Sequence, residues 1–276
     1  MPLIRRNHIA VADVTHAGAM TLREHLNELR SRLVRSSLAI LIATVSVWNQ
    51  YPKFFAIIRK PFDDIHGNHP NAVLALTGVT SGFSLQLKVS VAVGLLVSSP
   101  VWLYQLWRFI APGLHNAEKR WAYLFTAVAV PLFLSGVALA YHVMPRMLDV
   151  LFQFTPTDVT NVTNVDNYIS FILQITLFFG IGFLLPLVLV ILNFAGILSG
   201  RRISLSWRWI ILGSFVFGAI ATPNGDPLGM TIVAIPMIIL ALIAMSVALL
   251  NDKRRSRKAE KSGTNQWDDA EASTID

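Results

Sequence analysis

The feature that most constrains this chain is a succession of apolar runs. Most are close to the roughly 20 residues needed to cross the hydrocarbon core of a bilayer. They fall at 33–48, 83–110, 121–144, 168–193, 209–221 and 228–250. The runs are continuous rather than alternating, which rules out the dyad pattern of a membrane β-barrel. Of the 276 residues, 54% are hydrophobic and only 14% are charged, with a mean hydropathy of +0.54. A soluble domain with a polar shell is excluded. The expected fold is an all-α polytopic membrane protein with six transmembrane helices. The fifth run is short, about 20 Å at 1.5 Å per residue, against roughly 30 Å of hydrocarbon. Residues 21–250 make up this six-helix domain. The polar segments 1–20 and 251–276 are expected to be disordered tails.

Charge orients the spans. The net charge is +7, which in a membrane protein reflects positive cytoplasmic loops rather than nucleic-acid binding. Of the 23 Lys and Arg, 18 lie on one side if the spans alternate: before and at the start of span one, in the loops after spans two and four, and in the C-terminal tail. Lys53, Arg59, Lys60, Lys88 and Arg146 are the five on the other side. An even number of spans then puts both termini in the cytoplasm. The chain has no cysteine, so disulfides, thiolate metal sites and cysteine nucleophiles are excluded. Residues 1–20 lack the sustained apolar core of a cleavable signal peptide, and Arg5-Arg6 reads as part of a basic tail.

Local signals mark where the runs begin and bend. Thr21 and Glu24 have the spacing of a capping box. Leu22, Leu26, Leu29 and Leu33 form one helical stripe, with His25, Glu28, Arg30 and Arg32 on other faces. This segment is expected to lie at the membrane surface and run into the first span. Residues 52–70, with Pro52, Pro61, Asp63, Asp64, His66, His69 and Pro70, read as an outer loop. His66 and His69 are three apart with no evident third ligand, so no metal site is expected. Pro100, Pro131, Pro186 and Pro236 lie inside apolar runs, where proline kinks a helix.

The stretch 99–120 carries the densest set of signals. It closes one run, turns at Pro112-Gly113 and opens the next. Trp102, Tyr104 and Trp107 are expected at a membrane–water interface, where amphipathic rings settle. Glu118 is unusual beside Lys119 and Arg120, because a cytoplasmic loop needs cations for orientation. Two readings stand: a receptor for something basic, or a carboxylate that stabilises the next helix at its positive N-terminal end.

These pieces together resemble TatC, the multispanning core of the twin-arginine protein translocase. The resemblance rests on 24–32 before the first span, Pro61-Phe62, the stretch 99–120, Phe179-Gly180 to Pro186, and Thr222-Pro223 through Asp226 to Pro236. It implies a receptor that exports already folded proteins, using the proton motive force and no cofactor. The signal peptides of its cargo carry an arginine pair before a modest apolar segment. Carried over residue by residue, the recognition site falls on Glu28 and Glu118, with His25, Arg30, Phe109 and Arg120 around them. Pro61, Pro112 and Asp226 fall on structural or assembly positions. The implied partners are single-span Tat subunits (TatA and TatB), with self-association. Two positions depart from the pattern. Many members have a glutamate where this chain has Leu184, and some a glutamine at Met230. Gln174, Thr176 and Thr231 are the candidates to substitute for them. Arginine's planar fork suits a carboxylate better than lysine's point charge.

Two other classes make different demands on the sequence. A secondary transporter of a small solute calls for ionisable residues near the midplane or two matching half-repeats. An intramembrane enzyme calls for a nucleophile–base pair or a zinc set at helical depth. Neither pattern is evident in the six runs.

Overall fold

The computed structural model describes residues 22–110, 118–156, 158–222 and 227–268. Helix α1 is Leu22–Trp48, a single unbroken helix. The surface segment expected before the first span is therefore continuous with the span. After it come α2 (Tyr51–Ile65), the short strand β1 (Ala72–Ala75), α3 (Ser81–Val97) and α4 (Ser99–Ile110). The second half holds α5 (Glu118–Phe152), β2 (Asn161–Asn164), α6 (Val165–Phe194), α7 (Gly200–Leu205), α8 (Trp207–Ala221) and α9 (Pro227–Asp268). The six apolar runs fall on four long helices, α1, α5, α6 and α9, on the pair α3–α4 and on the short α8.

The break between α3 and α4 bends the chain by 61°. Pro100 lacks an amide, so an unbroken helix could not satisfy the carbonyl one turn earlier. Side chains serve the neighbouring carbonyl at the bend: Leu95 accepts from the Trp102 indole at 2.9 Å and from the Ser98 hydroxyl at 3.3 Å.

Close helix crossings hold the bundle together. A Cβ added at Gly94 of α3 would lie 2.8 Å from the Thr44 amide nitrogen of α1. One at Gly136 of α5 would lie 2.7 Å from the Phe179 carbonyl oxygen of α6, and Gly180 of α6 lies as close to the Phe133 ring. Of the four long spans, α6 buries the largest share of its residues. Ile169, Ile172, Ile175, Phe179 and Phe183 run along its length in the core.

One end of the bundle is capped. Residues 51–65, expected as a loop, form α2. Its Ile58, Pro61, Phe62 and Ile65 are buried on one face. Pro61 is tolerated inside this helix because side chains from two spans take the place of backbone bonds. Its missing amide frees the Ile57 carbonyl, which accepts from the Tyr141 hydroxyl of α5 at 3.0 Å. The Ile58 carbonyl accepts from Tyr168 of α6 at 3.1 Å. Strands β1 and β2 pair in parallel, Ala72 opposite Asn161. Both precede a helix that returns into the bundle, so both run the same way. Lys88 of α3 donates to Asp166 of α6 at 2.6 Å and to Ser170 at 3.2 Å. His69 bonds Asp149 at 2.9 Å. Among the described residues there is no group of three metal-ligating side chains.

The C-terminal boundary also differs from expectation. Helix α9 continues past residue 250 to Asp268 instead of giving way to a disordered tail. Lys, Arg, Glu and Ala are good helix formers, and no Gly or Pro interrupts 251–261.

Two stability measurements test this packing. Gly136→Ala pushes a Cβ into the α6 backbone, and overpacking of this kind costs about 1–3 kcal/mol. Gly213→Ala meets nothing within 4 Å. Thermal unfolding in one detergent should show the first variant melting lower and the second at or above the parent. In addition, Tyr141→Phe should cost about 1 kcal/mol, the worth of one hydrogen bond. It should cost less in a Pro61→Ala background, where a restored amide serves the Ile57 carbonyl; a double-mutant cycle reads the difference.

Candidate functional site

At the end opposite the cap, the first turns of α1 meet the last turn of α4. Helical spacing puts His25, Glu28, Leu29 and Arg32 on neighbouring positions of α1, since residues three and four apart share a face. The His25 ring stacks on Phe109 of α4, centroids 4.6 Å apart and planes at 20°. Two segments more than 80 positions apart in sequence thus converge at one end of the molecule.

Charge is concentrated at the same place. Glu28 is ion-paired with Arg32, one turn along α1, and the two side chains are 23% and 9% exposed. The pair is not fully satisfied. Glu28 Oε2 and Arg32 Nη1 are buried with no hydrogen bond among the described residues, as is Gln105 Oε1 on α4. Burying such groups without partners is costly. A groove of about 260 Å³ runs between α1 and α4, from Leu29 and Phe109 at the tip past Arg32 and Gln105 to Ile40 and Leu95. Arg30 is exposed on α1 and makes no ion pair among the described residues.

The remaining expected site residues fall as follows. Glu118 is the first residue of α5, and Arg120 lies in its first turn. Their side chains, like Pro112 and Asp226, lie outside the described residues. Pro61 is fully buried in the capping helix. Leu184 is 7% exposed, packed in the cluster of Leu103, Trp107, Phe133 and Leu187. A glutamate at this position would sit among apolar side chains, which is costly unless paired. Met230 is half-buried on α9, its backbone packed against Gly218 of α8. Gln174 approaches the Ala221 carbonyl at 3.5 Å.

The aromatic residues of α4 pack within the bundle. Trp107 is 3% exposed and belongs to the core. Trp102 packs edge-on against Phe133 at 5.4 Å. Tyr104 stacks with Tyr123 of α5 at 5.0 Å. All three rings meet aromatic side chains of α5. Sequence reasoning missed Arg32 as the partner of Glu28. The signal was there, since a Glu four residues before an Arg is the favoured order for a helical ion pair.

Comparison with known proteins bears on the whole arrangement. Residues 24–236 match the family described as Sec-independent protein translocase protein (TatC). The Sec-independent protein translocase protein TatC of Xylanimonas cellulosilytica is 38% identical over 240 residues, which cover 87% of each chain. That of Aquifex aeolicus is 35% identical over 239 residues, 86% of this chain and 98% of the relative. A crystal structure of the twin-arginine translocase receptor TatC superposes with a TM-score of 0.72 at 36% identity, covering 82% of this chain and 99% of that one. With matches that span the bundle from α1 into α9, the chain belongs to the TatC family of protein translocase subunits.

Proposed function

We propose that this chain is the receptor subunit of a twin-arginine translocase, binding twin-arginine signal peptides at the end of the bundle formed by α1, α4 and the start of α5. The observation that carries the reading is the convergence of His25, Glu28 and Phe109 at that end, where α5 begins with Glu118. A carboxylate receives a guanidinium through two parallel hydrogen bonds and an ammonium through a point contact. Glu28 is already held by Arg32, so an incoming arginine has to compete with an internal one. Glu118 therefore carries the larger share of recognition, with Glu28 second and His25, Arg30, Phe109 and Arg120 shaping the surroundings.

In this reading the site faces the cytoplasm of a bacterial cell, with both termini on that side of the inner membrane. The 18-to-5 division of Lys and Arg supports that orientation. Folded precursors are then exported with single-span TatA- and TatB-type subunits and further copies of this chain, driven by the proton motive force. The buried Leu184 leaves Gln174, Thr176 and Thr231 to meet a polar group of a partner span.

Two experiments test this. Because the chain has no cysteine, single cysteines report topology cleanly. Thr160→Cys should react with an impermeant maleimide added outside intact cells, and Ser206→Cys should not; the reverse pattern refutes the orientation. Hydrogen bonds to charged groups are worth roughly 1.5–3 kcal/mol, and salt screening favours the lower end. Glu118→Ala should therefore weaken crosslinking to a twin-arginine precursor about tenfold while leaving insertion intact. A twin-lysine precursor should bind the parent poorly. Normal binding of the arginine precursor by Glu118→Ala would place recognition elsewhere and leave Glu118 as a helix-end carboxylate.

A further inference from the structure

A second charged region lies where α6 turns through α7 into α8 and is crossed by α9. Asn193, 1% exposed, donates to Asp252 Oδ1 of α9 at 2.8 Å and to the Leu198 carbonyl at 3.0 Å. The Gly200 amide donates to Asp252 Oδ2 at 2.6 Å. A Cβ at Gly200 would lie 2.8 Å from the Ala248 carbonyl carbon, so α7 touches the α9 backbone. This clasp fixes α9 against the corner and spends both oxygens of Asp252 on neutral donors.

Cations crowd around the clasp. Arg201, Arg202 and Arg208 are exposed, and none makes an ion pair among the described residues. The same holds for Arg255, whose guanidinium lies over the turn at Gly196, 3.3 Å from where a Cβ there would stand. Basic residues continue along α9 through 253–258. Exposed aromatic side chains flank this charge: Trp207 is 47% and Trp209 73% exposed, and the Arg208 guanidinium sits 5.8 Å from the Trp207 ring centre. Indole rings beside arginines mark headgroup depth in a bilayer. Helix α8, which starts here, has 15 residues and is about 22 Å long, short of the roughly 30 Å of hydrocarbon. Headgroups are drawn inward beside a span that is too short.

The geometry points to a binding site for anionic phospholipid headgroups at the α7–α9 corner, with Arg201, Arg202, Arg208 and Arg255 receiving the phosphate and Trp207 and Trp209 at the glycerol level. Arginine forks match phosphate oxygens in pairs. A zwitterionic headgroup brings its own cation into the patch and is disfavoured there. The paired arginines of a signal peptide are repelled by the same charge, so this site is independent of the one at Glu28 and Glu118. The exposed indoles favour a lipid surface over an acidic soluble partner, which has no apolar layer to receive them.

The test uses the full chain in a neutral detergent, titrated with phosphatidylglycerol or phosphatidylcholine and read by native mass spectrometry. The parent should bind phosphatidylglycerol more tightly than phosphatidylcholine. R201Q/R202Q should bind phosphatidylglycerol at least about fivefold more weakly, since a cation near an anionic surface is worth about that factor. R201K/R202K, which keeps the charge but loses the paired contacts of the fork, should fall between the parent and R201Q/R202Q, and K53Q/K60Q, at the capped end, should keep all of the affinity. Unchanged melting temperatures establish that the variants are folded. Equal affinity for the two lipids in the parent, undiminished binding in R201Q/R202Q, or an equal loss in K53Q/K60Q would each overturn the proposal. Displacement of the lipid by a polyglutamate peptide at equal concentration would overturn it too, in favour of an acidic protein partner.

Discussion

Within hydrocarbon every backbone amide and carbonyl has to find a partner in the protein, because water is not there to serve. The architecture follows from how this chain meets that demand where its helices are interrupted. At the α3–α4 break the Trp102 indole serves the Leu95 carbonyl. The cap, at the end of the spans, uses the same device: two tyrosines reach across from α5 and α6 to the carbonyls of Ile57 and Ile58 in α2. Each interruption recruits a side chain from a turn or a helix away, and so each also fixes a packing relation. The bend and the cap are parts of the bundle for that reason.

The two ends of the bundle differ in how polar groups are treated. At the capped end they pair across helices, as in Lys88 with Asp166 and His69 with Asp149. At the other end the pairing is local and incomplete. Among the described residues Glu28 is matched only by its neighbour Arg32, and the second atoms of both groups, with Gln105 Oε1, are buried without a hydrogen bond. Incomplete satisfaction is costly to stability. The proposed recognition of an arginine pair would draw on such open atoms. The basic corner at α7 and α9 is a third arrangement, in which both oxygens of Asp252 are taken by neutral donors and Arg201, Arg202, Arg208 and Arg255 make no ion pair among the described residues.

Much of this was legible in the residues. The six runs fell on helices, the break near Pro100 appeared as a bend, and the brevity of the 209–221 run persisted as the 15-residue α8. The segments 24–32 and 99–110 were singled out and do meet in space. The capping helix was not recognised because Lys53, Arg59, Lys60, Asp63 and two prolines read as loop. Its apolar side chains nevertheless recur at helical spacing, Phe54, Ile58, Phe62 and Ile65. The strands could not be seen at all, since four residues carry no periodic signal and their pairing is long-range. A run of charge with few apolar residues carries the composition of a disordered tail, yet Lys and Arg oppose neither helical backbone nor solvent, and α9 continues through it.

The contacts that close the cap join residues far apart in the chain. Ile57 waits for Tyr141, His69 for Asp149, Lys88 for Asp166, and Ile58 for Tyr168, separations of 84, 80, 78 and 110 residues. Closing such loops is entropically slow. A ribosome adds roughly 5–20 residues each second, so the first two spans are made several seconds before the side chains that lock them. During that interval α2 has an uncovered apolar face and a carbonyl at Ile57 without its tyrosine. The early half of the chain is thus an unfinished membrane protein whose completion depends on the timely arrival of α5 and α6. Substitutions in the cap should be felt first as losses in the yield of inserted protein, before any effect on the mature bundle.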